Sequence, residues 1–293
     1  MTIPASLAGV RLDQALARML PGESRSRLAR LIEAGHVLVD GEVAPGKRKV
    51  RSGEAVDVTL APREEDSAFD PEAIALDVVH EDRDVLVVNK PAGLVVHPGS
   101  GNWSGTMLNA LLHHAPALKH LARAGIVHRL DKDTSGLLVV AKNEAAQLAL
   151  VKEIAAHEVK RTYLAVVRGK VARGATIEAP IGRHPVHRTR MAVVRGGKPA
   201  VTHYRVRKAL AAHTLLECDL ETGRTHQIRV HLASIGHPIE GDPVYAGRAK
   251  SPFGRQALHA WKLAFTHPAS GERVAFEAPP PADFKRLLQE LRA

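Results

Sequence analysis

The sequence predicts an α+β protein with a mixed, largely antiparallel sheet, preceded by a small helix–hairpin module. Three observations carry this expectation. Beyond residue 76, short apolar runs bounded by turn residues recur with few regular helical crossovers between them. Residues 9–60 hold a self-contained pattern of two short helices and a hairpin. Between these regions, Pro62, Glu64, Glu65, Asp66, Asp70, Pro71 and Glu72 give residues 61–75 an acidic, proline-bearing composition. Such a stretch buries too little apolar surface to fold alone and reads as a linker. The expected organisation is a module over 9–60, a linker over 61–75 and a large domain over 76–293.

Composition sets the bounds. The 293 residues are 45% hydrophobic, enough for a true core. No run of about 18 apolar residues offers a membrane span. Met1 to Val10 lacks the basic start and long apolar core of a signal peptide. Cys218 is the only cysteine, so no internal disulfide forms, and a cytoplasmic protein is the simplest fit. A monomer is expected. The net charge is +10, from 41 basic and 31 acidic side chains. Its distribution says more: residues 160–208 hold thirteen Lys or Arg against the one acid Glu178, a net +12. A block of one sign points to a polyanionic partner, RNA first, because backbone phosphates supply most nonspecific affinity.

The module opens with Gly9-Val10-Arg11-Leu12-Asp13, which leads into a helix through Leu16 and Leu20 that Pro21-Gly22 breaks. Ser24 or Ser26 caps a second helix with Leu28, Leu31 and Ile32 on its apolar face and Gly35 at its end. Val37-Leu38-Val39 reads as a strand, Asp40-Gly41 as a hairpin turn, and Ala55–Leu60 as a further strand. Arg25, Arg27 and Arg30 lie on the second helix.

In the large domain, Asp84–Asn89 reads as a strand ended by Lys90-Pro91-Ala92-Gly93. Thr106–His114 reads as a helix with Met107, Leu108, Leu111 and Leu112 inward. Asn143 caps a helix over 144–157, where Ala145, Leu148, Val151 and Ile154 share one face. Strands follow at Tyr163–Val167, Val201–Val206, Thr214–Leu220 and Leu263–Phe265, and a helix over 284–291 closes the chain.

The most informative stretch is Gly125-Ile126-Val127-His128-Arg129-Leu130-Asp131-Lys132-Asp133-Thr134-Ser135-Gly136, followed by the apolar run Leu137–Ala141. The apolar run has the look of a strand buried on both faces. Seven polar residues crowd the eight positions from His128 to Ser135. A polar loop anchored to a core strand holds side chains in fixed geometry, as catalysis requires; by residues alone, a solvated turn capped by Asp133 or Thr134 reads equally well.

His-Arg-Leu-Asp-x-x-Thr-Ser-Gly resembles the signature of the RluA/RluD family of pseudouridine synthases, which isomerise uridine in structured RNA. Lys160-Arg161-Thr162-Tyr163 and Gly223-Arg224-Thr225-His226-Gln227-Ile228-Arg229-Val230-His231 resemble the other two catalytic segments of that family, in the same order. Gly236-His237-Pro238-Ile239 and Gly241-Asp242-Pro243 also fit, so the similarity spans nearly the whole chain. Residues 9–60 resemble the alpha-L RNA-binding module found in a small-subunit ribosomal protein and in tyrosyl-tRNA synthetases. Asp40 stands where that module usually has Asn, and either residue suits the turn.

The resemblance implies the pseudouridine-synthase fold and an isomerase that needs no cofactor and no metal. It implies that Asp131, rather than Asp133, attacks the sugar or stabilises the cation formed there. Arg229 pairs with that aspartate, and Tyr163 stacks on the target base and is the candidate for removing its C5 proton. The target base must leave its stack. Arg129 fills the vacated space, and Arg25, Arg27, Arg30, Arg183, Arg188, Arg190 and Arg195 are expected to hold RNA. The N-terminal module points to the RluD type, which acts on large-subunit ribosomal RNA or its assembly intermediates; transfer RNA is the alternative substrate. Two rival readings stand beside it: a non-catalytic ribosome-assembly factor, and a glycosidase that uses Asp133 as a second carboxylate. No histidine pair has the i, i+4 spacing with a flanking Glu of hydrolytic zinc sites, and Cys218, in a strand, reads as packing.

Overall fold

The computed structural model describes residues 1–60, 64–99, 101–247 and 251–292, with the backbone alone for 64–66. It divides into two units, Met1–Asp66 and Ser67–Ala293.

In the smaller unit, helices α1 (Leu12–Met19) and α2 (Arg25–Glu33) pack on a three-stranded sheet of β1 (Val37–Val39), β2 (Glu42–Val43) and β3 (Val56–Val58), with β1 central. Leu12, Leu16, Leu28, Ile32, Val37 and Val56 form its core. Ser24, not Ser26, caps α2 by accepting from Arg27 N. At the other end, Gly35 at φ 78° closes the helix: Gly35 N bonds Ile32 O and His36 N bonds Leu31 O. Asp40 and Gly41 both have positive φ, as a tight hairpin turn needs, and Asp40 Oδ1 accepts from Ala55 N at 2.8 Å.

The larger unit runs β4 (Val78–Glu81), β5 (Val85–Lys90), α3 (Met107–His114), β6 (Ser135–Ala141), α4 (Glu144–Ala155), β7 (Lys160–Arg168), β8 (Ala175–Glu178), β9 (Ile181–Arg183), β10 (Met191–Val193), β11 (Val201–Ala209), β12 (His213–Leu220), α5 (Gln227–Ser234), β13 (Leu258–Thr266), β14 (Arg273–Glu277) and α6 (Ala282–Glu290). The main sheet has the order β4-β5-β6-β13-β7-β12-β11-β8, with β14 beside β13. Only β6 and β13 pair in parallel, so the sheet is mixed and largely antiparallel. β6 is buried along its whole length. One face of the sheet packs on α3, whose Met107, Leu108, Leu111 and Leu112 are all inward. β9 and β10 form a separate ribbon carrying the basic loop between them.

Part of the stretch read as linker belongs to the larger unit. Residues 61–63, with Pro62, lie outside the described residues, whereas 67–75 are fastened to α3. Asn109 Nδ2 donates to the carbonyls of Ala68 and Asp70, and Glu72 Oε1 accepts from Gly105 N.

One face was read differently from the sequence. Asn143 does cap α4, but the helix buries Ala146, Leu150 and Glu153. Leu148 is 72% exposed and Val151 47%. The reason is Glu153, whose carboxylate accepts from Thr266 N at 2.8 Å and from Arg273 Nη1 at 2.7 Å. A buried acid with two donors fixes the helix rotation, and an apolar pattern does not reveal it.

The parallel pair has no room to spare. Gly136, at φ +114°, sits against Ala260, and a Cβ there would lie 2.2 Å from the Ala260 carbonyl oxygen and 2.6 Å from its nitrogen. Gly136→Ala therefore combines forbidden backbone with overpacking and is expected to cost about 3 kcal/mol or more. Chemical denaturation of the purified variant checks this; a midpoint equal to the wild type would show that β6 and β13 can separate freely.

Candidate active site

The polar loop before β6 is fixed from several sides. Leu130 is buried in the main core, and Thr134 N bonds Asp131 O to close a turn. Arg255 Nη1 donates to Asp133 O at 3.0 Å, and Gln256 Nε2 to Thr134 Oγ1 at 3.2 Å. The Lys132 carbonyl, next to Asp131, accepts from Gly93 N and from Lys90 Nζ at 2.8 Å. Lys90 is 1% exposed and gives its other two protons to the carbonyls of Pro91 and Leu94. Burial pushes its ammonium down to about 7, while the nearby charges of Asp133 and Asp131 oppose the shift.

This loop forms one wall of a cleft of about 800 Å³. The structure brings Asp131, Tyr163, Arg229 and Arg129 to that cleft, from three separated segments of the chain, since Arg129 and Asp131 share one loop. Asp131 Oδ2 accepts from Arg229 Nη1 at 2.9 Å. Arg229, on α5, turns its remaining edge to Asp242, with Nε to Oδ2 at 2.7 Å and Nη2 to Oδ1 at 3.0 Å. Burial alone would lower this guanidinium's pKa; hydrogen bonds and charge from Asp242 and Asp131 more than reverse that, and it stays above its ordinary value. Tyr245 lies beneath, its ring centroid 5.2 Å from the Arg229 guanidinium carbon.

Tyr163 projects from β7, 6% exposed, and its hydroxyl has no hydrogen-bond partner among the described residues. Burial raises the phenol's pKa, Arg161 opposes the shift and Asp131 adds to it, so the ring is neutral at neutral pH. Of the cleft histidines, burial and then the charges of Arg123 and Arg129 push His97 down to about 4. Burial and then Arg161 push His128 down to about 3, and its Nε2 accepts from Val139 N.

The lining holds five arginines, Arg123, Arg129, Arg161, Arg224 and Arg229, and a single acid, Asp131. Arg129 is exposed and pairs with no carboxylate among the described residues. Asp133 does not line the cleft, which deprives a two-carboxylate glycosidase of its second acid. Arg183, Arg188, Arg190 and Arg195 are all exposed, on or beside the β9–β10 ribbon. In the smaller unit, Arg30 is exposed, Arg25 pairs with Asp13 at 2.7 Å and Arg27 with Glu23 at 3.2 Å. A cluster of Asp82, Asp84 and His267 has metal-ligand character, but it lies outside the cleft lining and is hydrogen-bonded internally, with His80 and His267 both on Asp82 Oδ2.

Residues 84–234 match the family described as RNA pseudouridylate synthase, and residues 10–56 match the S4 domain. The chain belongs to the RNA pseudouridylate synthase family. The chain is 56% identical over 300 residues to the ribosomal large subunit pseudouridine synthase D of Nitrosomonas europaea, covering 100% of this chain and 87% of the relative. It is 50% identical to the protein of that name in Escherichia coli strain K12, over 100% of this chain and 94% of the relative. Among solved structures, human RNA pseudouridylate synthase domain containing 1 superposes with a TM-score of 0.58 at 30% identity, covering 76% of this chain and 96% of that one. The pseudouridylate synthase fold with an N-terminal S4 domain thus corresponds to what the motifs implied, and the chain is an RNA pseudouridine synthase.

The sequence motifs assign no role to Asp242, Lys90, Tyr245 or Arg161. Asp242 lies in a quoted motif, and an acid flanked by Gly241 and Pro243 was its only signal. Its side chain is fully buried, whereas that of Asp131 is 17% exposed, and this difference sets their energetic weight. Asp242→Ala leaves a buried guanidinium with one partner and is expected to cost about 3–5 kcal/mol. Asp131→Asn keeps Arg229 paired and is expected to cost about 1 kcal/mol or less. Urea titration of both variants checks the order, and the reverse order would show that Asp131 is the structural counter-ion.

Proposed function

We propose that this synthase converts specific uridines of large-subunit ribosomal RNA to pseudouridine, with Asp131 as the nucleophile toward a uridine turned out into the cleft. The observation that carries the mechanism is the division of Arg229 between two acids. Because Asp242 already compensates the buried guanidinium, Arg229 can pair with Asp131 and orient it without Asp131 being buried itself. It is the one carboxylate in the cleft lining.

In the proposed sequence, the Asp131 carboxylate attacks ribose C1′ as the bond to N1 breaks. The freed uracil turns against the Tyr163 ring, C5 bonds to C1′, and the displaced carboxylate leaves. The C5 proton is lost and N1 gains one in exchange, which restores the aromatic base, and the neutral Tyr163 phenol is the neighbouring group that relays it, taking the C5 proton as its own passes on toward N1. Atoms balance without oxidant, reductant or added group. Arg129, exposed and without a carboxylate partner, reaches into the space the base vacates and lowers the unstacking cost of a few kcal/mol. Outside the cleft, Arg183, Arg188, Arg190 and Arg195 meet backbone phosphates, as do Arg25, Arg27 and Arg30 of the S4 domain.

Ribosomal RNA is the substrate that the names of the full-length relatives support, and the S4 domain is consistent with a large structured target. Release of tritium from RNA labelled at uridine C5 measures the reaction. Asp131→Asn is expected to bind RNA and release none. Tyr163→Phe is expected to bind and to lose about 10²–10⁴ in turnover. Full release by Asp131→Asn would end the nucleophile assignment, and wild type that binds but never converts a uridine would leave an assembly factor. Loss of pseudouridines from transfer RNA alone in a strain lacking the protein would move the substrate there.

A further inference from the structure

Arg161 lies on β7 two residues before Tyr163, so both side chains leave the same face of the strand and meet the same cleft. It is 7% exposed, nearly as deep as Arg229. The two arginines differ in what surrounds them. Arg229 has two carboxylates. Arg161 pairs with no carboxylate among the described residues: Nη2 donates to the Glu221 carbonyl at 3.1 Å, and the buried Nε has no acceptor at all. A guanidinium in that position is costly, because neither charge nor hydrogen-bonding capacity is met.

The surroundings keep the seat open. A Cβ on residue 223 would lie 2.7 Å from Arg161 Nη1, so Gly223 leaves the guanidinium its place. His157 Nδ1 donates to the same Glu221 carbonyl at 2.7 Å, which ties the end of α4 to this corner of the cleft. Arg224 lines the same corner, with Nε anchored on Pro199 O at 3.0 Å and no carboxylate partner among the described residues.

A buried cation without a counter-charge is completed by an anion from the ligand. Uracil and ribose are neutral, so the only anion an RNA strand brings is its phosphodiester. Arg161 and Tyr163 are two strand positions apart, about 7 Å. An anion at Arg161 is therefore attached to the nucleotide whose base faces Tyr163 or to its immediate neighbour. We propose that Arg161, seated against Gly223 beside Arg224, holds a backbone phosphate of the RNA next to the everted uridine. Such a contact registers the strand, so that the sugar is presented to Asp131, and it gives the buried charge its partner only when substrate is present. This inference rests on the reading of Tyr163 as the base-facing ring.

The test uses the full chain and ribosomal RNA stem-loops carrying single neutral methylphosphonate linkages, scanned one position at a time, with affinity measured over a salt series. Wild type is expected to lose about tenfold in affinity at one linkage beside the converted uridine. Arg161→Gln is expected to bind unmodified RNA about tenfold more weakly, to be indifferent to that linkage, and to show a log–log salt slope shallower by about 0.7–0.9. Its turnover defect sits in KM rather than kcat. Arg161→Lys recovers part of the affinity as a point charge without the planar fork. The melting temperature of Arg161→Gln does not fall, since an unpaired buried charge has been removed. Equal sensitivity of Arg161→Gln and wild type at every linkage, or a loss confined to kcat with the salt slope unchanged, overturns the proposal. The scan reads binding, so it decides the phosphate contact even if no uridine is converted and the catalytic reading fails.

Discussion

One buried guanidinium, shared by two carboxylates, sets the terms for the rest of the catalytic unit. Arg229 is too deep to stand alone, and a single partner would have to sit equally deep to satisfy it. Asp242 takes that position, fully buried and held in turn by the backbone N–H groups of Val244 and Tyr245. This frees the third face of the guanidinium for Asp131, which remains in reach of the cleft. A carboxylate that must be charged, oriented and accessible at once is difficult to place, because each property works against another. Dividing the arginine between a buried acid and a cleft-facing one leaves the second both oriented and accessible.

The same residues join the cleft to the basic ribbon. Tyr245 lies under Arg229, accepts from Met191 N of β10, and hydrogen-bonds His226 Nδ1 at the start of α5. Val230 of α5 packs with Ile181 of β9 and Ala200. The arginine helix is thus the floor on which the exposed Arg183–Arg195 region rests. Gln227 braces the preceding turn, accepting from Thr222 Oγ1 and Arg224 N while donating to Val201 O and Thr202 Oγ1. His231, the last residue of the third motif, is consumed in the same bracing through Thr202 and Ala179.

What the sequence made legible was the local chemistry. The motif resemblance singled out Asp131, a continuous apolar run marked β6, inward apolar residues marked α3, a cap at Asn143 marked α4, and the turn at Asp40-Gly41 marked the hairpin. What it hid were the pairings of buried charges. The face of α4 was misjudged because Ala145, Leu148, Val151 and Ile154 form as good a stripe as Ala146 and Leu150, and only the bonds of Glu153 to β13 and β14 choose between them. Lys90 looked like the end of a strand, yet it gathers three carbonyls behind the Asp131 loop. Arg161 looked like one more member of a basic block, and its burial without an acid became visible only when β7 was placed in the sheet. Periodicity reports which side of an element is greasy; it carries no information about a partner a hundred residues away.

β7 lies inside the sheet, bonded on one side to β12 and on the other to β13. Tyr163 and Arg161 therefore stand on a strand paired along both edges, and the loop that carries Asp131 runs into β6, which pairs with β13 beside it. The turn before α5 is braced as well, so freedom to adjust is left to the exposed side chains at the cleft, Arg129 and Arg123, while the floor keeps one geometry. An enzyme built this way can change its clientele by editing surface turns and leave its chemistry alone.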